Sequence, residues 1–374
     1  MHKIFRYVLF VLAFTPLLGG ATTLCSRSIW SDWENFKTVF KDTNGRIIDP
    51  SDAKELFTTS EGQSYAMFFA LVAGDQDTFT QLVSWTDKNM ANGHLGQELP
   101  GWKWGQHSDG TWGLLDTNSA SDADLWMTYS LLEAGRIWHN PQWSQLGQAL
   151  GKTVLEKETV KTSVGRILLP GAVGFQIGTK QWRLNQSYWP MQILRYLKDN
   201  GGDTRWKELL KGTRNINQAT AIWNGAPDWF IYDAQKGVHL DPLNSSRGSY
   251  NAIRVYLWSG MLDKQSPDYH DYWKQFFPIY VRIASDSTAP ETIDVTSGGF
   301  SENGPFGFLA SFYPGLLNIE PLSQSVQQYG TIKDQLQHSH SYYNQVLGLF
   351  SMGWTEHRFK FNQQGMLKLS GNCS

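Results

Sequence analysis

The chain has 374 residues, 41% of them hydrophobic, which is enough to bury a sizeable core and excludes a largely disordered protein. Its formal net charge of −2 argues against a nucleic-acid partner, because nucleic-acid binding requires a basic face. The 17 Trp, 15 Tyr and 20 Phe allow two interpretations: a large aromatic core, or a surface on which sugar rings stack.

The N-terminus has the pattern of a secretory signal peptide. A positively charged start is followed by an apolar run over residues 7–18 and by three small residues at 19–21. We therefore predict that residues 1–21 are removed on export, and that the mature protein is periplasmic or secreted. No later stretch is long and apolar enough for a membrane helix, so we expect no membrane span.

The chain has only two cysteines, Cys25 near the predicted cleavage point and Cys373 next to the C-terminal residue. Export would place both in an oxidising compartment, where disulfides form and persist. We predict a disulfide that joins the two ends of the mature chain; two free thiols are the alternative.

The first strong helix signal begins at Ser60. The segment from Ser60 to Gln63 has the form of a capping box, and apolar residues over 65–72 then recur at the i, i+3, i+4, i+7 spacing of a helix. Apolar side chains also occupy the opposite side of this segment. We therefore predict a helix that is buried nearly all round.

Five further helix starts of the same kind follow along the chain. Three precede the apolar segments 125–138, 191–197 and 252–258, and two weaker ones lie near Pro305 and Ser341. More amphipathic stretches, typical of half-exposed helices, lie between them: 77–89, 142–156, 204–217 and 269–284.

This alternation predicts an all-α fold in which six inner and six outer helices close into an α/α barrel. No low-complexity linker divides the chain, so we expect a single domain. The starts of the inner helices would then face one end of the barrel. That end collects polar residues that either form an active site or only cap ordinary helices: Glu61, Asp122, Asp124, Tyr188, Tyr250 and Asn251.

Glu61 and Asp122 supply the two carboxyl groups that glycosidic bond cleavage commonly uses. Metal catalysis finds little support, because the nine histidines have no metal-binding spacing. Neither a nucleophile elbow nor a phosphate-binding glycine loop is present, which argues against an esterase or a nucleotide-binding enzyme.

At these residues the chain resembles glycoside hydrolase family 8. The resemblance covers essentially the whole mature chain and is carried by seven features: residues 46–53, 58–65, 102–105, 118–124, 227–229 and 249–254, and the two terminal cysteines. It implies an (α/α)6 barrel over residues 22–374, hydrolysis of β-1,4-glucan with inversion, and no metal or other cofactor. It also implies a role in bacterial cellulose synthesis, with a glucan chain and the cellulose synthase complex as partners.

The resemblance further implies roles for individual residues. Glu61 matches the proton donor, and Asp122 matches the aspartate that holds the distorted sugar at the cleavage point. We expect the other substrate-binding residues to line an aromatic groove around them: Trp102, Trp104, Trp112, Asp116, Asp124, Tyr188, Trp189, Asp228, Trp229, Tyr250 and Arg254. Arg254 has two interpretations, since it could orient water or Asp122, or form a structural ion pair.

Asn251 departs from the family pattern, which has an aspartate here as the base that activates water. A neutral amide cannot take up a proton. Three explanations stay open: another carboxylate among Asp228, Asp233 and Asp241 substitutes; the protein binds glucan and turns over slowly; or Asn251 deamidates. A glucan-binding accessory protein is therefore the alternative function, and chitosan or xylan is the alternative substrate.

Overall fold

The structure is a computed structural model that describes residues 29–51, 56–284, 286, 288–319 and 322–370. The predicted signal segment, 1–21, and both cysteines lie outside these ranges, so the export and disulfide expectations stay predictions. Within these ranges, no helix combines the length and the apolar character needed to cross a bilayer.

The described part of the chain forms twelve α-helices. They are α1 (Ser31–Phe40), α2 (Ser60–Ala73), α3 (Gln76–Met90), α4 (Ser121–Ile137), α5 (Pro141–Lys157), α6 (Met191–Asn200), α7 (Arg205–Ala219), α8 (Ile253–Gly260), α9 (Tyr269–Ala284), α10 (Phe306–Leu316), α11 (Leu322–His338) and α12 (Tyr342–Thr355).

The even-numbered helices form the inner ring. Each packs against the next, and the ring closes where Phe350 of α12 contacts Phe68 and Phe69 of α2, with ring centroids 5.5 and 4.6 Å apart. The odd-numbered helices pack outside, for example α3 on α2 and α5 on α4. This confirms the (α/α)6 barrel. All six inner helices begin close to the predicted starts, whereas the outer helices α1 and α11 were not predicted.

The centre of the inner ring is filled with aromatic side chains. Trp126 of α4 lies 4.9 Å from both Phe68 and Phe350 and 5.1 Å from Trp258 of α8, measured between ring centroids. All four side chains are buried. Burying one such side chain contributes roughly 1.5–3 kcal/mol to folding. The core interpretation therefore holds for these residues.

Besides the helices, the described ranges contain fourteen short β-strands in five antiparallel sheets. The first sheet is β1 (Thr58–Thr59), β2 (Lys103–Gln106) and β3 (Trp112–Asp116), and the second is β4 (Thr159–Thr162) with β5 (Gly165–Leu168). The others are β6 (Gln176–Gly178), β7 (Gln181–Leu184), β8 (Phe230–Asp233) and β9 (Gly237–Leu240); β10 (Arg247–Gly248), β11 (Pro290–Asp294) and β12 (Phe300–Asn303); and β13 (Phe359–Phe361) with β14 (Leu367–Leu369). Strands of two to five residues are too short to give a clear period-2 signal.

The start of α2 differs from the predicted capping box. Thr59, which has an extended backbone, is the N-cap, and its hydroxyl accepts a hydrogen bond from the N–H of Gly62. The side chain of Gln63 instead lies in the core, where it accepts from the N–H of Ile47 at 2.7 Å and donates to Thr86. The prediction was wrong because these tertiary hydrogen bonds compete with the local motif.

Candidate active site

Glu61 projects from the first turn of α2 at the rim of the inner ring. The N–H of the preceding residue, Ser60, donates to the carbonyl of Trp102, which fixes this helix start to the first sheet. Gly62 follows Glu61 because a Cβ at that position would lie 2.4 Å from the hydroxyl oxygen of Tyr342. The position of Glu61 therefore depends on close packing that is possible only because the next residue is glycine.

Arg254 of α8 joins the two candidate carboxyl groups. Its Nη1 atom donates to Asp122 Oδ2 at 2.6 Å, to Glu61 Oε2, and to the hydroxyl of Tyr65 at 3.2 Å. Arg254 and Asp122 are almost completely buried, whereas Glu61 is partly accessible. Arg254 thus forms a structural ion pair and orients both acids, which combines the two interpretations of this residue.

The surroundings of Glu61 favour its protonated form. Burial raises the pKa of this carboxyl to about 7; the positive charge of Arg254 acts in the opposite direction, and the negative charge of Asp122 adds to the rise. Such a pKa suits a general acid, which must carry a proton near neutral pH. Burial therefore acts against the helix dipole, which alone would favour the anion.

A cavity of about 310 Å³ opens beside these residues. It brings together side chains from the starts of five inner-helix regions, and its lining includes Thr59, Ser60, Glu61, Trp102, Ala120, Asp122, Tyr188, Tyr250, Asn251, Arg254 and Tyr343. Tyr343 was not among the predicted site residues. It follows the helix start at Ser341, and the barrel arrangement alone could have placed it here.

Two aromatic clusters adjoin residues that line the cavity. On one side, beyond Trp102, the rings of Trp104 and Trp112 are stacked 5.2 Å apart, and the guanidinium of Arg46 lies over both. Trp112 is 48% exposed, so its ring face is available to a ligand.

On the other side, Tyr188 contacts Trp229, whose ring stacks on Phe175 at 6.0 Å and 7° between the planes. Phe175 was missed in the sequence because it stands in a glycine-rich loop without a helical or strand pattern. The second cluster reaches the cavity through Tyr188, whereas Trp104, Trp112, Trp229 and Phe175 do not line the cavity itself.

Two of the predicted substrate-binding residues that do not line the cavity are sealed in the interior. Asp124 is 0% exposed and faces the interior behind Asp122, and Trp189 is 2% exposed and packs edge-on against Phe230. A side chain sealed in this way has no surface for a sugar, so these two predictions are corrected. Asp116 is exposed, but it accepts the N–H of Asn118 and does not line the cavity.

None of the three carboxylates considered as a substitute base lines the cavity. Asp228 accepts the N–H groups of Ser249, Asn251 and Ala252 at 2.9–3.0 Å and thereby holds the segment that leads into α8. Asp233 accepts from Gln181 in the sheet formed by β6 to β9.

Asp241, at the end of the same sheet, is 0% exposed and pairs with Arg183 at 2.6 Å. Each of the three acids therefore has a structural partner. Among the residues that line the cavity, only Glu61 and Asp122 carry a carboxyl group.

Asn251 lies at the position in the cavity where the family pattern predicts a base. Its Oδ1 accepts a hydrogen bond from Asn185 Nδ2 at 3.2 Å, and Asn185 is itself held by Ser187. The same donor could serve a carboxylate. The surroundings are therefore built for an oxygen acceptor, while the residue itself is neutral.

These features define the class of the protein as an (α/α)6-barrel glycosidase, in which carboxyl groups and aromatic rings share one cleft. Within the described ranges, no group of three or more His, Cys, Asp or Glu side chains could hold a metal ion.

Comparisons with known proteins agree with this class. The model of the family "Glycosyl hydrolases family 8" matches residues 13–357. An endoglucanase from Salmonella typhi is 42% identical over 349 residues, which are 93% of this chain and 92% of that protein. One from Escherichia coli O157:H7 is 40% identical over 354 residues, 94% of each chain.

The solved structures agree as well. The endo-1,4-D-glucanase from Vibrio fischeri ES114 has a TM-score of 0.87 at 40% identity and covers 91% of this chain and 99% of its own. The endo-β-1,4-glucanase CMCax from Acetobacter xylinum has a TM-score of 0.71 at 26% identity and covers 88% and 98%. The chain belongs to glycoside hydrolase family 8.

Proposed function

We propose that the protein is an endo-β-1,4-glucanase that hydrolyses interior bonds of cellulose-like glucan with inversion at the anomeric carbon. The observation that carries this proposal is Glu61, a carboxyl with a raised pKa that lines a cavity together with Asp122, Trp102 and Tyr188. The relatives and solved structures cited above are named as endoglucanases. An open, ring-lined groove suits a long chain bound along its length.

In this mechanism Glu61 donates its proton to the glycosidic oxygen as the C1–O bond breaks. The carboxylate that results is stabilised by the adjacent Nη1 of Arg254. Asp122 keeps a negative charge beside the developing positive charge of the sugar ring, as the oxocarbenium-like transition state requires. Arg254 holds the two acids in their relative positions.

The attacking water has to approach from the side opposite Glu61. Glu61 and Asp122 bind the same nitrogen and hydrogen-bond to each other, which leaves no room for water between them. The two carboxyl groups of an inverting enzyme stand roughly 6.5–9.5 Å apart for this reason. Asn251 occupies the water side, where its amide can orient a water molecule but cannot accept its proton.

The rival function is a glucan-binding accessory protein with impaired catalysis, and Asn251 is the observation that favours it. Release of reducing ends from carboxymethyl cellulose separates the two, with the Glu61→Gln variant as the matched control. We expect slow release by the wild type and none by the variant. Retained binding of cellohexaose without any release would support the accessory role and overturn the enzyme proposal.

The substrate and the stereochemistry need their own measurements. Parallel assays on xylan and chitosan would reveal a different β-1,4 polymer, because the preferred polymer gives the highest kcat/KM. NMR of the product formed first from cellohexaose distinguishes the anomers. We expect the α-anomer from a β-linked substrate, and a first-formed β-anomer would contradict inversion.

We also propose that the protein acts in the periplasm or outside the cell, trims glucan during cellulose secretion, and associates with the cellulose synthase complex. The signal-like pattern over 1–21 and the resemblance to enzymes of cellulose synthesis support this part. Mass spectrometry of the exported chain would test the cleavage point. Co-purification with the synthase would test the association, and a chain that keeps residues 1–21 in the cytoplasm would contradict export.

A further inference from the structure

A second pair of acids lies behind the active site. Asp124 belongs to the first turn of α4, two residues after Asp122, and Glu158 directly follows α5. Both side chains are 0% exposed, the two carboxyl groups lie close enough to affect each other's pKa, and no donor among the described residues reaches either oxygen of Asp124 or Oε2 of Glu158. The hydroxyl of Ser119 donates to Glu158 Oε1 at 2.5 Å.

This pair differs from most buried acids because it has no cation. Within the described part of the chain, neither Asp124 nor Glu158 forms an ion pair with lysine or arginine, and the charged group that faces both is Asp122. Two adjacent buried carboxylates without a cation cannot both be ionised. The pair must therefore keep at least one proton near neutral pH.

Burial also changes the pKa values of these two carboxyl groups. It raises the pKa of Asp124 well above its usual range and the pKa of Glu158 to about 8, and in both cases the charge of Asp122 adds to the rise. The hydrogen bond from Ser119 opposes the rise at Glu158. The two values describe one coupled pair rather than two independent sites.

The pair is connected to the segment that carries Asp122. The hydroxyl of Ser119 also accepts the N–H of Ala172, and Ser121 donates to the carbonyl of Leu169 at 2.6 Å. A Cβ at Gly171 would lie 2.3 Å from the carbonyl oxygen of Ser119, so the two backbones pack in direct contact. Any displacement of Glu158 would pass through Ser119 to the start of α4.

We propose that Asp124 and Glu158 form a proton-sharing positioning unit that holds Asp122 in place and limits the negative charge behind it. The proposal rests on the glucanase function proposed above. Loss of a proton from the pair would place a second negative charge beside Asp122 and repel it. Asp122 would then shift relative to Arg254, and the geometry at Glu61 would be lost with it.

The pH profile of kcat/KM tests this proposal. With one ionisation near pH 7 at Glu61 and one near pH 8 in the pair, the logarithm of kcat/KM should fall with a slope of about −1 above pH 7 and approach about −2 above pH 8. Glu158→Gln keeps a hydrogen-bond donor towards Asp124 without the titration, so its slope should stay near −1. Equal slopes in both proteins would overturn the proposal.

Two further variants separate positioning from general structural damage. Glu158→Ala removes the hydrogen bond and should lower kcat by about 10-fold or more, with KM within about twofold, and Glu158→Gln should restore most of the loss. Glu133→Gln is the matched control, because Glu133 is equally buried but paired with Arg136. A similar change of slope in this control would contradict a special role of the pair.

Stability measurements keep the test independent of glucanase activity. In the inactive Glu61→Gln background, a folded-state pKa near 8, above the ordinary value of 4.5, makes the free energy of unfolding decrease as the pH rises towards 8. In the same background, Glu158→Gln should make the free energy of unfolding fall less steeply with pH. An unchanged pH dependence would overturn the proposal. If wild-type protein releases no reducing ends, the glucanase proposal fails, while this measurement still decides on the shared proton.

Discussion

The acid side of the cavity, at Glu61, has a more complete set of catalytic groups than the water side, at Asn251. On the acid side, Glu61 and Asp122 share one guanidinium nitrogen, and burial raises the pKa of Glu61 to about 7. On the water side, Asn251 is held by Asn185, and the nearest acid, Asp228, is engaged with backbone N–H groups. The acid side thus supplies a proton donor for the leaving group, whereas the water side supplies no general base for the attacking water.

The largest expected effect is loss of the acid side. Glu61→Gln removes the transferable proton and should lower kcat by about 10²- to 10⁴-fold. Binding of cellohexaose should stay within about threefold of wild type, because the ring-lined walls are untouched. The control is Glu208→Gln on the outer helix α7, where the side chain is 46% exposed. Full activity of the Glu61 variant would refute its assignment as proton donor.

The next largest effect should come from completing the water side. Asn251→Asp supplies a carboxylate that Asn185 can still hydrogen-bond, and it should raise kcat by about 10²-fold, the lower end of the usual contribution of a general base. Asn224→Asp, at an exposed asparagine outside the cavity, is the matched control. An unchanged rate in Asn251→Asp would mean that the base position is wrong or that another group already serves.

The pH dependence sharpens the comparison further. Because the donor must be protonated and its pKa is about 7, kcat/KM should decrease about tenfold per pH unit between pH 7 and pH 8. In Asn251→Asp, a second limb should appear on the acidic side, where the new carboxylate takes up a proton. A wild-type rate that rises through pH 7 would contradict the assignment of Glu61 as acid.

The smallest effect is expected at the groove wall. Trp112→Ala removes an exposed ring face and should raise KM for a long glucan about fivefold, or roughly 1 kcal/mol, with kcat unchanged. Phe277→Ala, an exposed aromatic on the outer helix α9, is the control and should leave KM unchanged. Equal effects of the two substitutions would mean that Trp112 does not contact the bound glucan.

Much of the architecture could be read from the sequence. Six starts followed by apolar segments predicted the inner helices, because a helix buried on all sides is apolar all round. The outer helices α1 and α11 were not singled out in the sequence. The strands escaped prediction because two to five residues are too few for a clear period-2 signal. The capping box at Ser60 failed because the side chain of Gln63 finds its partners in residues distant along the chain.

The candidate site was predicted in part for a related reason. Residues at helix starts, such as Glu61, Asp122 and Tyr188, line the cavity because helix direction alone carries them to one rim. Tyr343 also lines it, and Phe175 belongs to an adjoining aromatic cluster, yet both stand in segments whose local pattern says nothing of function. Trp189 looked equally suited to a sugar and is buried.

By itself, then, the sequence determined the helical double ring and the rim on which the acids lie, because hydrophobic periodicity and helix polarity are local properties of the chain. Only the tertiary structure decided which charges meet. It placed Glu61 and Asp122 on one arginine and Asp124 against Glu158 without any cation. Burial and the distance between side chains remote in sequence set a pKa, and neither quantity is written in the order of residues.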